Sequence, residues 1–423
     1  YVGGQLDKQE TSLLAFMKTN PESFKIGYDQ GVTPLFNGVM DEVRIWNRSL
    51  TQTEIQNIYN NETAGQYDPN MNRTGLVLEL NMNVSSPDVA TIDDTSGYGN
   101  DGTLYGTYGM NIDYFPLAKY STECGSCSEC SIKIQAASYG ATIYLNQSIT
   151  NAASTCINFN GTDNVTFDCK GFTIDGDNSN TIWGIYLNGS SDGNTIRNCN
   201  IQEFANGIRV TESSSSNNLI NNTISTSTSS AGNGIWIQGD SKSNIIKNNT
   251  ISTSGIASHG MYIITNADYN IVDNNTITTT GDEGDGIYLI ASTQNVITNN
   301  TINTEDGYGV FLDTTSTNDY YNHTVTGNTE GGKLIYYYFD QDDVRLEDID
   351  NIGELVVTVA ENFTANNLTM DKDGILLYKV NNSRFENSTI TTSGNWGHGI
   401  YLTTTVDYNN ITNNTISTGG LYG

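Results

Sequence analysis

Three cysteines at C-x2-C-x2-C spacing, Cys124, Cys127 and Cys130, are followed by Cys156, Cys169 and Cys199. Thiolates at such spacing hold zinc or part of an iron–sulfur cluster when a fourth ligand completes the set. No fourth ligand stands at a suitable distance along the chain. An even number of cysteines confined to one segment instead suits disulfides and an oxidising compartment. Disulfides are therefore expected, with Cys156 joined to one of the first three.

The other reactive side chains are sparse. There are three histidines, and His398, between Gly397 and Gly399, and His259, just before Gly260, both read as turn residues. Acidic residues cluster at Asp282–Asp285 and at Asp340–Asp350, with Lys333 and Arg345 nearby in sequence. Clustered acids can hold Ca2+ while a base takes the proton beside a substrate carboxylate. Runs of this kind are more often solvated loop faces, so no catalytic residue is assigned. A structural calcium at Asp282, Glu283 and Asp285 is the metal expectation, and no other cofactor is implied. Sequons recur throughout, and Asn146, Asn188, Asn221, Asn248, Asn274, Asn299, Asn322, Asn362, Asn387 and Asn413 are candidate glycosylation sites. The aromatic run Tyr336–Phe339 suits a sugar-stacking strip or a subunit contact, although alternation sends half of it inward.

The charge excludes some partners. With 18 Lys and Arg beside 47 Asp and Glu, the net charge is −29. A phosphate backbone needs a basic stripe that this chain lacks, so nucleic acid is not expected. No run approaches the roughly 20 apolar residues of a membrane-spanning helix.

These residues must be positioned by a repeating scaffold. A glycine followed by alternating apolar residues recurs as GIYL (Gly184), GIRV (Gly207), GIWI (Gly234), GMYI (Gly260), GIYL (Gly286), GVFL (Gly309), GILL (Gly374) and GIYL (Gly399). A second element, NNTI, runs in phase at Asn221, Asn248, Asn274, Asn299 and Asn413. A period of about 20–27 residues points to stacked units, each with two or three short strands split by Gly, Asn and Ser turns. About eleven coils at 4.8 Å would make a rod on the order of 50 Å long. Asn at a fixed place in each coil can hydrogen-bond up and down the stack and tolerates the left-handed turn backbone. Alternation from an inward Ile224 turns Asn222 inward and Asn221 outward. Aligning NVTFDC with NTIRNC sets Cys169 and Cys199 one strand spacing apart, within disulfide reach.

With these repeats the chain resembles the right-handed parallel β-helices of the NosD-like and pectate-lyase-like superfamily, over about Ser131–Gly423. FNGVMDEVRIWNRSLTQTEIQNIY (Phe36–Tyr59) resembles the closing strand and helix of laminin-G-like, concanavalin-like jelly rolls. Ser49 with Gln52, or Thr51 with Glu54, would cap that helix. YVGGQL (Tyr1–Leu6) is similar to a mid-domain hairpin, while Gly75–Asn83 and Asp93–Gly106 are similar to the opening of another jelly roll. The expected organisation is all-β: residues 1–66 as the end of one jelly roll, 67–120 as opening strands or linker, and 121–423 as a β-helix with a Cys-rich cap. Alternatively, Gly75–Gly106 folds back onto Tyr1–Tyr59. Abrupt ends suggest missing sequence or completion by a neighbour. The leading functional expectation is a secreted structural or adhesive cell-surface protein, possible as a filament subunit that associates head to tail. Carbohydrate binding through the jelly-roll part, implied by that resemblance alone, comes second, and a polysaccharide lyase, hydrolase or epimerase third. A binding module should show exposed aromatics in a row.

Overall fold

The computed structural model describes residues 43–63, 74–80, 91–92, 96, 102–103, 122–178, 182–227, 231–313, 317–392 and 394–420. The chain divides into two units, Tyr1–Ser121 and Thr122–Gly423.

In the first unit, strand β1 (Val43–Trp46) pairs antiparallel with β2 (Leu76–Leu80). Val43, Ile45, Leu78 and Leu80 pack on one face, and Arg44 Nε meets the buried Glu79 carboxylate at 2.9 Å. The pairing joins a segment similar to a closing strand with one similar to an opening strand, across the boundary expected at residue 66. Helix α1 (Gln52–Thr63) starts with a capping box. The Thr51 N–H donates to Glu54 Oε2 at 2.8 Å, and the Glu54 N–H returns a bond to Thr51 Oγ1 at 3.2 Å. The hairpin expected at Tyr1–Leu6 and most of Asp93–Gly106 lie outside the described residues.

The second unit is a parallel β-solenoid of about eleven turns. Three sheets run along it. Sheet A stacks strands from Ile149–Ala152 onward, sheet B seven strands from Ile157–Asn158 to Val310–Leu312, and sheet C nine strands from Glu123–Cys124 to Thr324–Thr326. Register is strict, so like residues stack: Ile201, Ile224, Ile251, Ile277 and Ile302 form one inward column, each at most 1% exposed. At the start, helix α2 (Cys127–Gln135) is N-capped by Ser126 and buries Cys130 and Ile134 against the first coil.

Two columns of inward asparagines hold the turns. Asn222, Asn249, Asn275, Asn300 and Asn328 pass Nδ2–H···Oδ1 bonds of 2.8–3.1 Å from coil to coil. Asn194, Asn217, Asn244, Asn270 and Asn295 form a second ladder at 3.0–3.2 Å. Most of these amides also donate to a backbone carbonyl, so nearly all of the buried polar groups are satisfied within the stack, the exception being Asn295 Nδ2 at the end of the second ladder.

The stack does not continue as one rod. Sheet B stops at Val310–Leu312. Thr329–Glu330 turns back on Lys333–Phe339 in an antiparallel hairpin through Gly331 and Gly332, at φ 57° and 80°. Two adjacent residues at positive φ make the tight turn that glycine permits. The following coils enclose a separate core around Leu355, Val357, Phe363, Leu377 and Phe385. Their strands Ile352–Glu361 and Ile375–Asn381 face both ways: Val356, Leu376 and Tyr378 pack into the first core instead. The aromatic run is absorbed likewise, with Tyr336 and Tyr338 on the second core and Tyr337 and Phe339 on the first.

Candidate functional site

The third residue of each of the six glycine-led repeats from Gly184 to Gly309 points outward from sheet B. Tyr186, Arg209, Trp236, Tyr262, Tyr288 and Phe311 are paired one to the next across six successive strands. Their neighbours on either side, such as Ile235 and Ile237 beside Trp236, are fully buried. The six themselves are half-buried because they stack on one another. Ring centroids lie 5.4 Å apart for Trp236–Tyr262, 5.2 Å for Tyr262–Tyr288 and 5.5 Å for Tyr288–Phe311. Tyr401 of the second stack extends the row at 6.2 Å from Phe311. From Tyr186 to Phe311 is five strand spacings, about 24 Å.

Polar groups punctuate the row. Tyr288 Oη donates to Asp313 Oδ2 at 2.5 Å, and burial, reinforced by Asp313, pushes this phenol's pKa up. His259 stacks against Tyr262 and Tyr288 at 5.4 and 4.5 Å, and its Nδ1 lies 3.3 Å from Asp285 Oδ2. The Arg209 guanidinium is flanked by Trp183 at 4.6 Å and Trp236 at 4.3 Å. Burial among these rings lowers its pKa, with Tyr186 and Glu212 opposing, and arginine stays cationic through such a shift.

A second cluster sits where sheet B ends. Glu330, Glu354 and Asp373 are 0–3% exposed. The Val310 N–H donates to Glu354 Oε2 at 2.9 Å, the Gly309 N–H to Asp373 Oδ2 at 3.2 Å and the Thr304 N–H to Glu330 Oε1 at 2.9 Å. A Cβ built on Gly309 would lie 2.9 Å from Glu354 Oε2 and 3.1 Å from Glu330 Oε2, so two carboxyls converge on this glycine. Lys372 Nζ stands 3.5 Å from Glu330. Burial, more than any neighbour, raises the pKa of all three acids. Closed off from solvent, they accept the bonds that a next strand would have taken.

The cysteines pair as Cys124–Cys130, Cys127–Cys156 and Cys169–Cys199, the last joining adjacent coils with Cα atoms 4.7 Å apart. Asp282 and Glu283 are exposed while Asp285 is buried, accepting from the Tyr308 N–H at 2.8 Å. The expected calcium trio is thus not brought together, and among the described residues no three His, Cys, Asp or Glu side chains converge as metal ligands. Asp340, Asp342, Asp343 and Asp350 lie on exposed loops; Arg345 pairs with Glu347 along one short strand, and Lys333 pairs with Asp371. Asn146, Asn221, Asn248, Asn274, Asn299, Asn362, Asn387 and Asn413 are exposed, Asn188 and Asn322 half-buried.

Stacked parallel coils with three sheets and inward asparagine ladders define a parallel β-helix protein. Residues 183–349 match the model of the right-handed β-helix region, and residues 1–56 match that of the concanavalin A-like lectin/glucanase superfamily. A search of curated proteins finds no match. A β-helix with a lectin-like segment fits a surface or carbohydrate-binding protein. Three disulfides fit a secreted one. Among the described residues no helix is long and apolar enough to cross a membrane.

Proposed function

We propose that the solenoid binds carbohydrate along the outward row of sheet B. One observation carries this reading: the row is aromatic where the matching face of sheet A is not. Outward positions on sheet A run Thr223, Thr250, Thr276, Thr301 and Ser225, Ser252, Thr278, Asn303, the usual polar dress of a solvent face. A contiguous strip of half-exposed rings on a solenoid is a binding feature. Ring faces take the C–H faces of sugars, while the Tyr hydroxyls, Asp313 and the Arg209 N–H groups supply hydrogen bonds at the edges.

A glycan array on the full chain, followed by titration of the hits, tests this. Trp236→Ala and Tyr262→Ala should each weaken binding about tenfold or more. Wild-type protein that retains no glycan at millimolar concentration would overturn the proposal. We further read the protein as secreted or displayed at a cell surface, with adhesion through this strip as its use. Head-to-tail self-association into filaments is a separate reading, supported by the stacked architecture and tested by electron microscopy of native material.

A further inference from the structure

Arg209 is the one cation on the strip, and its surroundings are unlike those of the other basic residues on the solenoid faces. Lys242 and Lys247 each reach an aspartate on the next coil, at 3.0 and 2.8 Å from Asp268 and Asp273. Arg197 reaches Asp168 at 2.9 Å. Arg209 has no ion pair among the described residues. Its nearest carboxylate in charge terms, Glu212, is turned to accept the Gly189 N–H at 3.0 Å. The guanidinium lies over the indole rings of both Trp183 and Trp236, and its buried Nε has no hydrogen-bond partner among the described residues.

Such a clamp fixes the plane of the guanidinium and leaves its Nη edge as the part a ligand can reach. Paired N–H donors held in one plane match the two oxygens of a carboxylate or sulfate. Along the strip the next four rungs, Trp236, Tyr262, Tyr288 and Phe311, carry no charge, and Asp313 stands at the far end. Four strand spacings, about 19 Å, thus separate one fixed positive charge from a negative one. A polyanion would find this single cation on a chain of net charge −29 and no second positive rung along the strip. Resting on the carbohydrate reading above, we propose that the strip selects a largely neutral glycan carrying one acidic sugar, a uronate or sulfated residue, seated at Arg209.

The test uses matched oligosaccharides that differ only in one carboxyl, a hexuronate unit against the corresponding hexose, titrated against the full chain. The acidic member should bind about tenfold or more tighter, and that preference should shrink as salt rises. Arg209→Gln should bring the two affinities together, and Arg209→Lys should restore part of the gap, since an ammonium keeps charge but loses the fork. Trp236→Ala should weaken both sugars. Near-UV circular dichroism of the indoles checks that the variants keep the stack. Equal wild-type affinity for both sugars, or an equal loss on both in Arg209→Gln, overturns the acidic selection while leaving the carbohydrate reading standing. Failure of every glycan to bind wild-type protein removes both.

Discussion

The Val310 N–H donates to Glu354 Oε2 over 2.9 Å, so a side-chain carboxyl takes the bond that the next strand of sheet B would have accepted. A solenoid that stops stacking must satisfy its last row of N–H groups, and here three buried acids do so. The arrangement carries more acid than Lys372 can neutralise, and so it is sensitive to protons.

Raising pH should therefore loosen the junction between the two stacks. The Glu330, Glu354 and Asp373 carboxyls, raised chiefly by burial, contribute stability that is complete below the ordinary carboxyl range of about 4. That stability is lost as pH climbs through their raised values, and the three titrate as a unit. His323, pulled down to about 4 by burial, acts oppositely: its contribution is present above about 6.5 and lost as pH falls towards 4. Comparison with Glu354→Gln cancels the histidine. As pH rises through the raised carboxyl range, the melting temperature of the wild type should fall more steeply than that of Glu354→Gln. Parallel curves would count against the idea.

Asn275→Ala should be among the costliest single changes in the solenoid. It strips the acceptor of the Asn249 N–H and Nδ2, both bonded to Asn275 Oδ1, and the donor to the Ile246 carbonyl. Buried groups left without partners imply a loss on the order of 3 kcal/mol, read as a lower urea midpoint. An unchanged midpoint would show that the ladder is dispensable.

Gly260→Ala should cost about 1–3 kcal/mol through overpacking. The reason is close approach: an added Cβ would overlap the Ile277 methyl and lie 2.7 Å from the Gly286 carbonyl oxygen. Crystallography of the variant should show Ile277 displaced. An unmoved Ile277 with wild-type stability contradicts this account.

Native material should carry glycans on several of Asn221, Asn248, Asn274 and Asn299, which are exposed at left-handed turns with φ of 55–57°. Asn274 Nδ2 reaches Asn248 Oδ1 at 2.7 Å, so glycans on successive coils compete for one space. Occupancy should skip coils, and mass spectrometry of glycopeptides reads it. Wholly unmodified peptides at all four sites would defeat the expectation.

Much of this fold was legible because a solenoid's contacts repeat with its sequence. The glycine-led motifs from Gly184 to Gly309 mark sheet B and the NNTI segments mark sheet A, and Ile224 parity orients Asn221 and Asn222 as the structure has them. The second asparagine ladder was equally open to reading, since Asn217, Asn244, Asn270 and Asn295 each stand two residues before an inward Leu, Ile or Val. The strip stands in the sequence as well: Tyr, Arg, Trp, Tyr, Tyr and Phe fill one slot of six successive motifs, but the side chain changes from coil to coil, so the slot carries no repeat signal. The Gly331–Gly332 hairpin is a local signal for a turn, yet nothing local says that the chain will abandon its stack there. The carboxyl cluster was beyond sequence reading. Glu330, Glu354 and Asp373 come from three coils and meet only because that stack breaks.

All three disulfides fall between Cys124 and Cys199, which gives the molecule a mechanical polarity. A pull along the solenoid axis acts in line with the ladder hydrogen bonds, so coils should yield one at a time. The 30-residue span from Cys169 to Cys199 cannot be paid out while its bridge holds, withholding about 100 Å of contour. Unravelling under force therefore proceeds from the later coils towards the earlier ones and halts at a covalent stop. Tension delivered through a bound glycan would be borne next to that stop, since Arg209 lies only ten residues past Cys199.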